Sequence, residues 1–244
     1  MPVHLIRGGY ANTYLIVDGD SLVAVDVGTS SAAKKIYEYL SDRSMDASSL
    51  RLVTATHFHI DHVAGISRLL QLFPATRVCF FAMVGDYLKG KDRICLFTPF
   101  KWLKGLLPVV IASDDHIKKS LAAILSDRIA IPLPFLRRFL PSDYEAECVL
   151  DEDQRIPYLP RWELIKTPGH TPDSVCFYSE DEETLISGDT VLNMKGSGEL
   201  NNFCYDRDTI RESFKKLLPL TIETIYPGHG KPLRNLDGLD NVAQ

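Results

Sequence analysis

Thr56-His57-Phe58-His59-Ile60-Asp61-His62 places three of the chain's seven histidines and one carboxylate in a single short stretch. It stands at the end of Leu50–Thr56, whose apolar run reads as a β-strand. In an extended chain, residues two apart point to the same side, so His57 and His59 can grip one cation together. Asp61 and His62 follow where the chain turns into a helix predicted over Val63–Phe73. They offer one oxygen and one nitrogen from a displaced position. A single tetrahedral ion rarely draws four ligands from so few residues; a pair of ions does.

Two further histidines stand in glycine-marked turns. Thr167-Pro168-Gly169-His170-Thr171 follows the strand-like run Trp162–Lys166, and Tyr226-Pro227-Gly228-His229-Gly230 follows Ile222–Ile225. Pro and Gly end a strand sharply and let the next side chain leave the sheet edge. Between them, Leu185-Ile186-Ser187-Gly188-Asp189-Thr190 is a strand ending in Gly-Asp. A carboxylate there can bridge two cations, one on each oxygen. All four segments end strands, so they can converge on one rim.

This set resembles the metallo-β-lactamase superfamily, whose hallmark is a His-x-His-x-Asp-His segment, a later His, a Gly-Asp and a final Pro-Gly-His. The resemblance implies an α/β fold, the four-layer αββα sandwich, with metals at one edge. It also implies ligand roles. His57, His59 and His170 would hold one metal, Asp61, His62 and His229 the other, and Asp189 would bridge them. Asp26, in Val25-Asp26-Val27-Gly28, resembles the family's early strand-end Asp, which supports the ligands from behind.

Composition fits one enzyme domain over residues 1–244, with 45 % hydrophobic and 24 % charged residues. A net charge of −5 gives no basic stripe for nucleic acid. Five cysteines (79, 95, 148, 176 and 204) show no CxxC, and Cys79 lies in an apolar run where a small buried thiol is expected. The start of the chain lacks the basic and long apolar regions of a signal peptide. These features predict a reduced, cytoplasmic protein.

Along the chain, strands at 12–17 and 21–27 are joined by the hairpin signal Asp18-Gly19-Asp20, and Ser30 or Ser31 can cap a helix reaching Leu40. Arg77–Ala82 reads as a strand. Strands near 162–167, 174–178 and 184–187 lead to a loop at 190–205, then a helix at 208–218 preceded by Asp206 and Arg207, which read as capping or surface groups and not as catalytic ones. Tyr205, in that loop, is a candidate to reach the pocket. His4 and His116 lie outside the motifs. The 107 residues between His62 and His170 exceed what the simple hydrolases of the family need, so residues 85–148 are expected as an inserted helical cap. Phe97, Phe100, Trp102 and a stripe from Ile117 to Ile129 give it an apolar character. Such a cap would shape a pocket for a small-molecule substrate with an apolar part, or form a homodimer surface. No stretch is long and clean enough for a transmembrane segment.

The resemblance implies a hydrolase in which two divalent ions, zinc first with iron or manganese as alternatives, activate water to cleave an ester, thioester or lactone. Asp61 is the candidate catalytic residue, orienting the nucleophile or passing its proton to the leaving group. The 15 residues after His229 leave little for the C-terminal helices of glyoxalase II. Continuous Asp61-His62 and the absent signal peptide weaken a β-lactamase reading. Two alternatives stay open: a mononuclear iron persulfide dioxygenase using His57, His170 and Asp189, and a non-catalytic metal-binding module.

Overall fold

The structure, a computed structural model, describes residues 3–88, 148–152 and 154–234. Its first sheet has the order β1 (Val3–Ile6), β2 (Thr13–Asp18), β3 (Ser21–Val25), β4 (Leu50–Thr54), β5 (Arg77–Phe81) and β6 (Cys148–Leu150). The early strands pair antiparallel and those from β3 onward parallel. After β7 (Arg155–Ile156), β8 (Leu159–Lys166) and β9 (Val175–Ser179) comes β10 (Thr184–Gly188). These strands join β13 (Thr224–Pro227) and β14 (Leu233–Arg234) in a second sheet ordered β14-β13-β10-β9-β8-β7.

Strand alternation decides which residues face which layer. Tyr14, Ile16, Val23, Val25 and Leu52 point toward the second sheet, where they meet Trp162, Leu164, Val175, Phe177 and Ile186. Their neighbours Leu15, Leu22, Ala24 and Val53 point the other way and are covered by Ile36 and Leu40 of α1 (Ser30–Asp42) and by Ile66 and Leu69 of α3 (Ile66–Leu72). On the far side, Cys176, Tyr178, Leu185 and Ile225 are covered by Ile210 and Phe214 of α5 (Arg207–Lys215). The result is the expected four layers, helix–sheet–sheet–helix. Trp162 is fully buried between the sheets, and truncating such a residue to Ala costs about 3–5 kcal/mol.

Several local expectations shift. The cap of α1 is Thr29, whose hydroxyl accepts from Ala32 N–H at 3.0 Å, one residue before the expected serines. The helix expected from 63 to 73 is two pieces, α2 (Ile60–Val63) and α3, separated by Ala64-Gly65. Gly65 lies so close to α1's entry that a Cβ there would sit 2.2 Å from Thr29 O. Asp206 does cap α5, accepting from Thr209 N–H at 2.6 Å. The loop expected at 190–205 contains a small ribbon, β11 (Val191–Leu192) with β12 (Glu199–Leu200).

The expected helical cap falls almost wholly on residues 89–147, outside the described residues. At its edges, Gly85 belongs to α4 (Ala82–Leu88), and Cys148 opens β6 beside β5. Cys79 and Cys148 are direct partners in that parallel register, 4.7 Å apart at Cα, and form a disulfide. The expectation of reduced thiols is therefore corrected at these two positions. Strand pairing, invisible in the local sequence, brings together cysteines separated by 69 residues. Cys176 is a buried free thiol. Among the described residues no helix is long and apolar enough to cross a membrane.

Candidate metal centre

The rim where β3, β4, β8, β10 and β13 end gathers all seven sequence-predicted ligands. Just past β4, His57 Nε2 and His170 Nε2 lie 3.0 and 3.1 Å from His59 Nδ1. Asp61, His62 and His229 form a second cluster, and His57, His62 and Asp189 a third grouping that links the two; within each, the donor atoms lie within 4.8 Å of one another. Asp189 stands between the clusters. Its Oδ2 is 3.4 Å from both His170 Nε2 and His229 Nε2, and its Oδ1 is 3.6 Å from His62 Nε2.

In the second cluster the separations suit a cation between the donors. Asp61 Oδ2 lies 3.4 Å from His229 Nε2 and 3.8 Å from His62 Nε2. Carboxylate–imidazole hydrogen bonds would be shorter, about 2.7–3.2 Å. His62 Nε2 and Asp189 Oδ1 are buried without a hydrogen-bond partner. Buried polar atoms that converge without bonding one another fit a cation between them. The donor set of imidazoles and carboxylates suits zinc, iron or manganese alike.

The outer nitrogens support the same reading. His62 Nδ1 lies 3.0 Å from Asp26 Oδ2, and His170 Nδ1 donates to Phe203 O at 2.6 Å. His229 Nδ1 donates to Tyr10 O at 3.2 Å. His57 Nδ1 meets Thr56 Oγ1 at 3.2 Å, and that hydroxyl donates to Asp26 Oδ2 at 2.8 Å. These partners at each Nδ1 turn Nε2 toward the clusters, the arrangement by which proteins orient metal-binding imidazoles. Asp26, fully buried at φ 59°, also accepts Thr56 N–H at 2.8 Å, so one carboxylate steadies ligands of both clusters.

Charge divides the clusters. Burial, reinforced by the neighbouring imidazoles, holds His57 well below its ordinary pKa and pushes His59 down to about 3. Burial also lowers His170, against the pull of Asp189. At His62 burial works downward too, but Asp26, Asp61 and Asp189 outweigh it and raise the ring to about 9. His229 is raised in the same way, with Asp189 and Asp61 overcoming burial. Burial would raise Asp61 and Asp189, yet the imidazoles around them hold both well below the carboxylate range.

Sequence reasoning missed several contributors. Asp173, 1 % exposed, accepts Phe58 N–H at 2.7 Å, and Val175 N–H donates to Thr56 O at 2.8 Å; together they tie the His57–His59 segment to the His170 turn. Tyr10 packs its ring 4.4 Å from the His229 ring, and Asn12 contacts the Pro227–Gly230 turn. Nothing in their local sequence marks these residues. Tyr205 is 62 % exposed, and its N–H donates to His170 O at 3.1 Å, so it is the backbone that serves the site. His4 lies in β1, packed near Tyr39 at 5.1 Å and away from the clusters; His116 is outside the described residues.

Comparison with known proteins agrees with this geometry. The profile of the metallo-beta-lactamase superfamily matches residues 6–229. The chain is 28 % identical to the probable metallo-hydrolase YflN of Bacillus subtilis, over 95 % of this chain and 84 % of that one. It is 24 % identical to the atrochrysone carboxyl ACP thioesterase of Aspergillus fumigatus over 92 % of this chain, but spans only 52 % of that protein. Among solved structures, TTHA1623 in a di-iron-bound form superposes with a TM-score of 0.59 at 22 % identity, covering 92 % of this chain and 89 % of that one.

Proposed function

We propose that this chain, which belongs to the metallo-beta-lactamase superfamily, is a dinuclear metal-dependent hydrolase of an ester, thioester or lactone. One observation carries the reading: two ligand triads share a rim with Asp189 between them, with His57, His62, His170 and His229 turning Nε2 inward and His59 turning Nδ1 inward. The ACP thioesterase among the relatives and the di-iron form of TTHA1623 support it. Two divalent cations, zinc in our reading, would supply Lewis acidity and lower the pKa of water enough for attack at neutral pH.

The protein's own groups do the rest. His57, His59 and His170 would hold one cation, Asp61, His62 and His229 the other, and Asp189 both. Asp61 stays ionised, and its side chain is 12 % exposed. It is therefore placed to orient the attacking water or to pass that water's proton to the leaving group. The buried walls keep bulk water from the ligands and strengthen every charge interaction at the rim. The substrate in this reading is a small molecule with an apolar part, in keeping with Phe97, Phe100 and Trp102 in the sequence between α4 and β6. A cap over the rim and a homodimer belong to the same proposal; nucleic acid does not, given the net charge of −5.

The test is a screen of zinc-, iron- and manganese-loaded protein against thioesters, lactones, simple esters and persulfides, with metal content measured on the same samples. Two ions per chain and hydrolysis of one ester class are expected. One iron per chain with persulfide-dependent oxygen uptake would replace this reading with a dioxygenase, and inertness across the panel would favour a binding module. The cytoplasmic placement expected from the sequence is opposed by the Cys79–Cys148 bond, since disulfides persist mainly in oxidising compartments. Alkylation of these cysteines in freshly lysed cells decides between the two.

A further inference from the structure

We propose that Asn12 is a positioning residue for the second cluster, clasping the turn that carries His229 so that this ligand meets Asp61 and His62. The inference rests on the two-cation reading above. Asn12 lies between β1 and β2 of the first sheet and is 9 % exposed. Its backbone N–H donates to Gly228 O at 2.7 Å. Its side-chain Nδ2 donates to Pro227 O at 2.8 Å and Gly230 O at 2.9 Å, taking carbonyls on both sides of His229. Tyr14 OH adds a bond to Pro227 O at 2.6 Å and lies 3.0 Å from Asn12 Nδ2.

The clasp bears directly on His229. His229 Nδ1 donates to Tyr10 O, two residues before Asn12, and Asn193 N–H takes His229 O at 3.2 Å. Every carbonyl from Pro227 to Gly230 thus has a donor, and three of the four bind Asn12. The turn has no slack on its other side, because a Cβ at Gly228 would lie 2.1 Å from Asp189 Oδ1. His229 comes from the second sheet, whereas Asp61 and His62 follow a strand of the first. Asn12, with Tyr14 beside it, therefore sets the distance across the second cluster. The first cluster has separate ties, through Asp173 and Val175.

The chemistry of the side chain is specific. Asp at this position keeps the shape but has no N–H to give two buried carbonyls, and Ser is too short to reach both. Loss of such supporting contacts weakens metal binding about 10–100-fold in comparable sites. The loss here should fall on one site only.

The experiment titrates metal-free wild type, Asn12→Asp, Asn12→Ala, Tyr14→Phe and His229→Ala with zinc against a competing chelator, alongside the thermal midpoint of each metal-free protein. His229→Ala identifies which binding step belongs to the second cluster. In both Asn12 variants that step should weaken about 10–100-fold while the other stays within about twofold, with a smaller loss of the same step in Tyr14→Phe. Two unchanged steps, or two steps weakened alike, would overturn the assignment. If Asn12→Ala does not fold, the near-isosteric Asn12→Asp and Tyr14→Phe carry the same test. A wild type that takes up only one zinc refutes the two-cation reading itself, an outcome distinct from failure of the clasp.

Discussion

The first cluster, His57, His59 and His170, and the second, Asp61, His62 and His229, share one rim and one carboxylate, yet they prepare for a cation in opposite ways. Burial and mutual repulsion leave the three imidazoles of the first neutral, with His59 near 3. Carboxylates leave His62 and His229 protonated, His62 up to about 9. His62 is the more deeply buried of His59 and His62, three residues apart, yet it is the one that is raised, so depth does not explain the difference. Asp26 and Asp61 beside His62 do. The first cluster presents lone pairs; the second presents protons that a cation must displace.

The largest expected effect tests the element the clusters share. Asp189→Ala should lower kcat/KM by on the order of 10²–10⁴, the range for a group that positions or activates the nucleophile. It should also weaken both zinc-binding steps. Retention of full metal content and turnover would show that Asp189 joins nothing.

Proton displacement makes the contrast pH-dependent. Zinc affinity at the second cluster should rise about tenfold per pH unit for each proton released and level off near the His62 value of about 9, while the first step stays flat from neutral pH upward. Equal slopes for the two steps would erase the comparison. The metal-free protein should show the linked stability change. His62, raised from 6.5 to about 9, contributes stability that is complete below pH 6.5 and lost as pH rises to about 9. His59, lowered from 6.5 to about 3, acts the other way, and stability grows as pH rises through that interval. Thermal midpoints of the metal-free protein between pH 4 and 9 should therefore peak near the ordinary histidine value of about 6.5.

Smaller effects sharpen the separation. Asp173→Asn should weaken the first zinc step about tenfold and spare the second, the mirror of the Asn12 variants. An equal loss at both steps would mean that the two ties are one network. Cys79→Ala with Cys148→Ala should leave both steps alone, since the bond lies at the β5–β6 edge. By chain entropy alone it should lower stability by about 4 kcal/mol, measurable by denaturant unfolding under oxidising conditions. A change in zinc affinity there would show that the sheet edge communicates with the rim.

The convergence of the candidate ligands on one rim was legible in the sequence because it rests on local rules. Alternation along Leu50–Thr56 and the Pro-Gly-His turns mark where side chains leave a sheet, and residues two apart must share a side. The αββα arrangement entered through the resemblance those residues carry, and strands buried on both faces accord with it. What the tertiary structure decided depends on which strands become neighbours. The pairing of β5 with β6 joins Cys79 to Cys148, and packing at the α1 entry divides α2 from α3 at Gly65. Asn12 reaches Pro227 across 215 residues, and Asp173 reaches Phe58 N–H across 115. Protonation belongs here too, since a histidine in a sequence carries no sign of how many carboxylates will surround it. Propensity and periodicity act over a few residues; hydrogen bonds between sheets and the field inside a buried cluster exist only once distant segments have met.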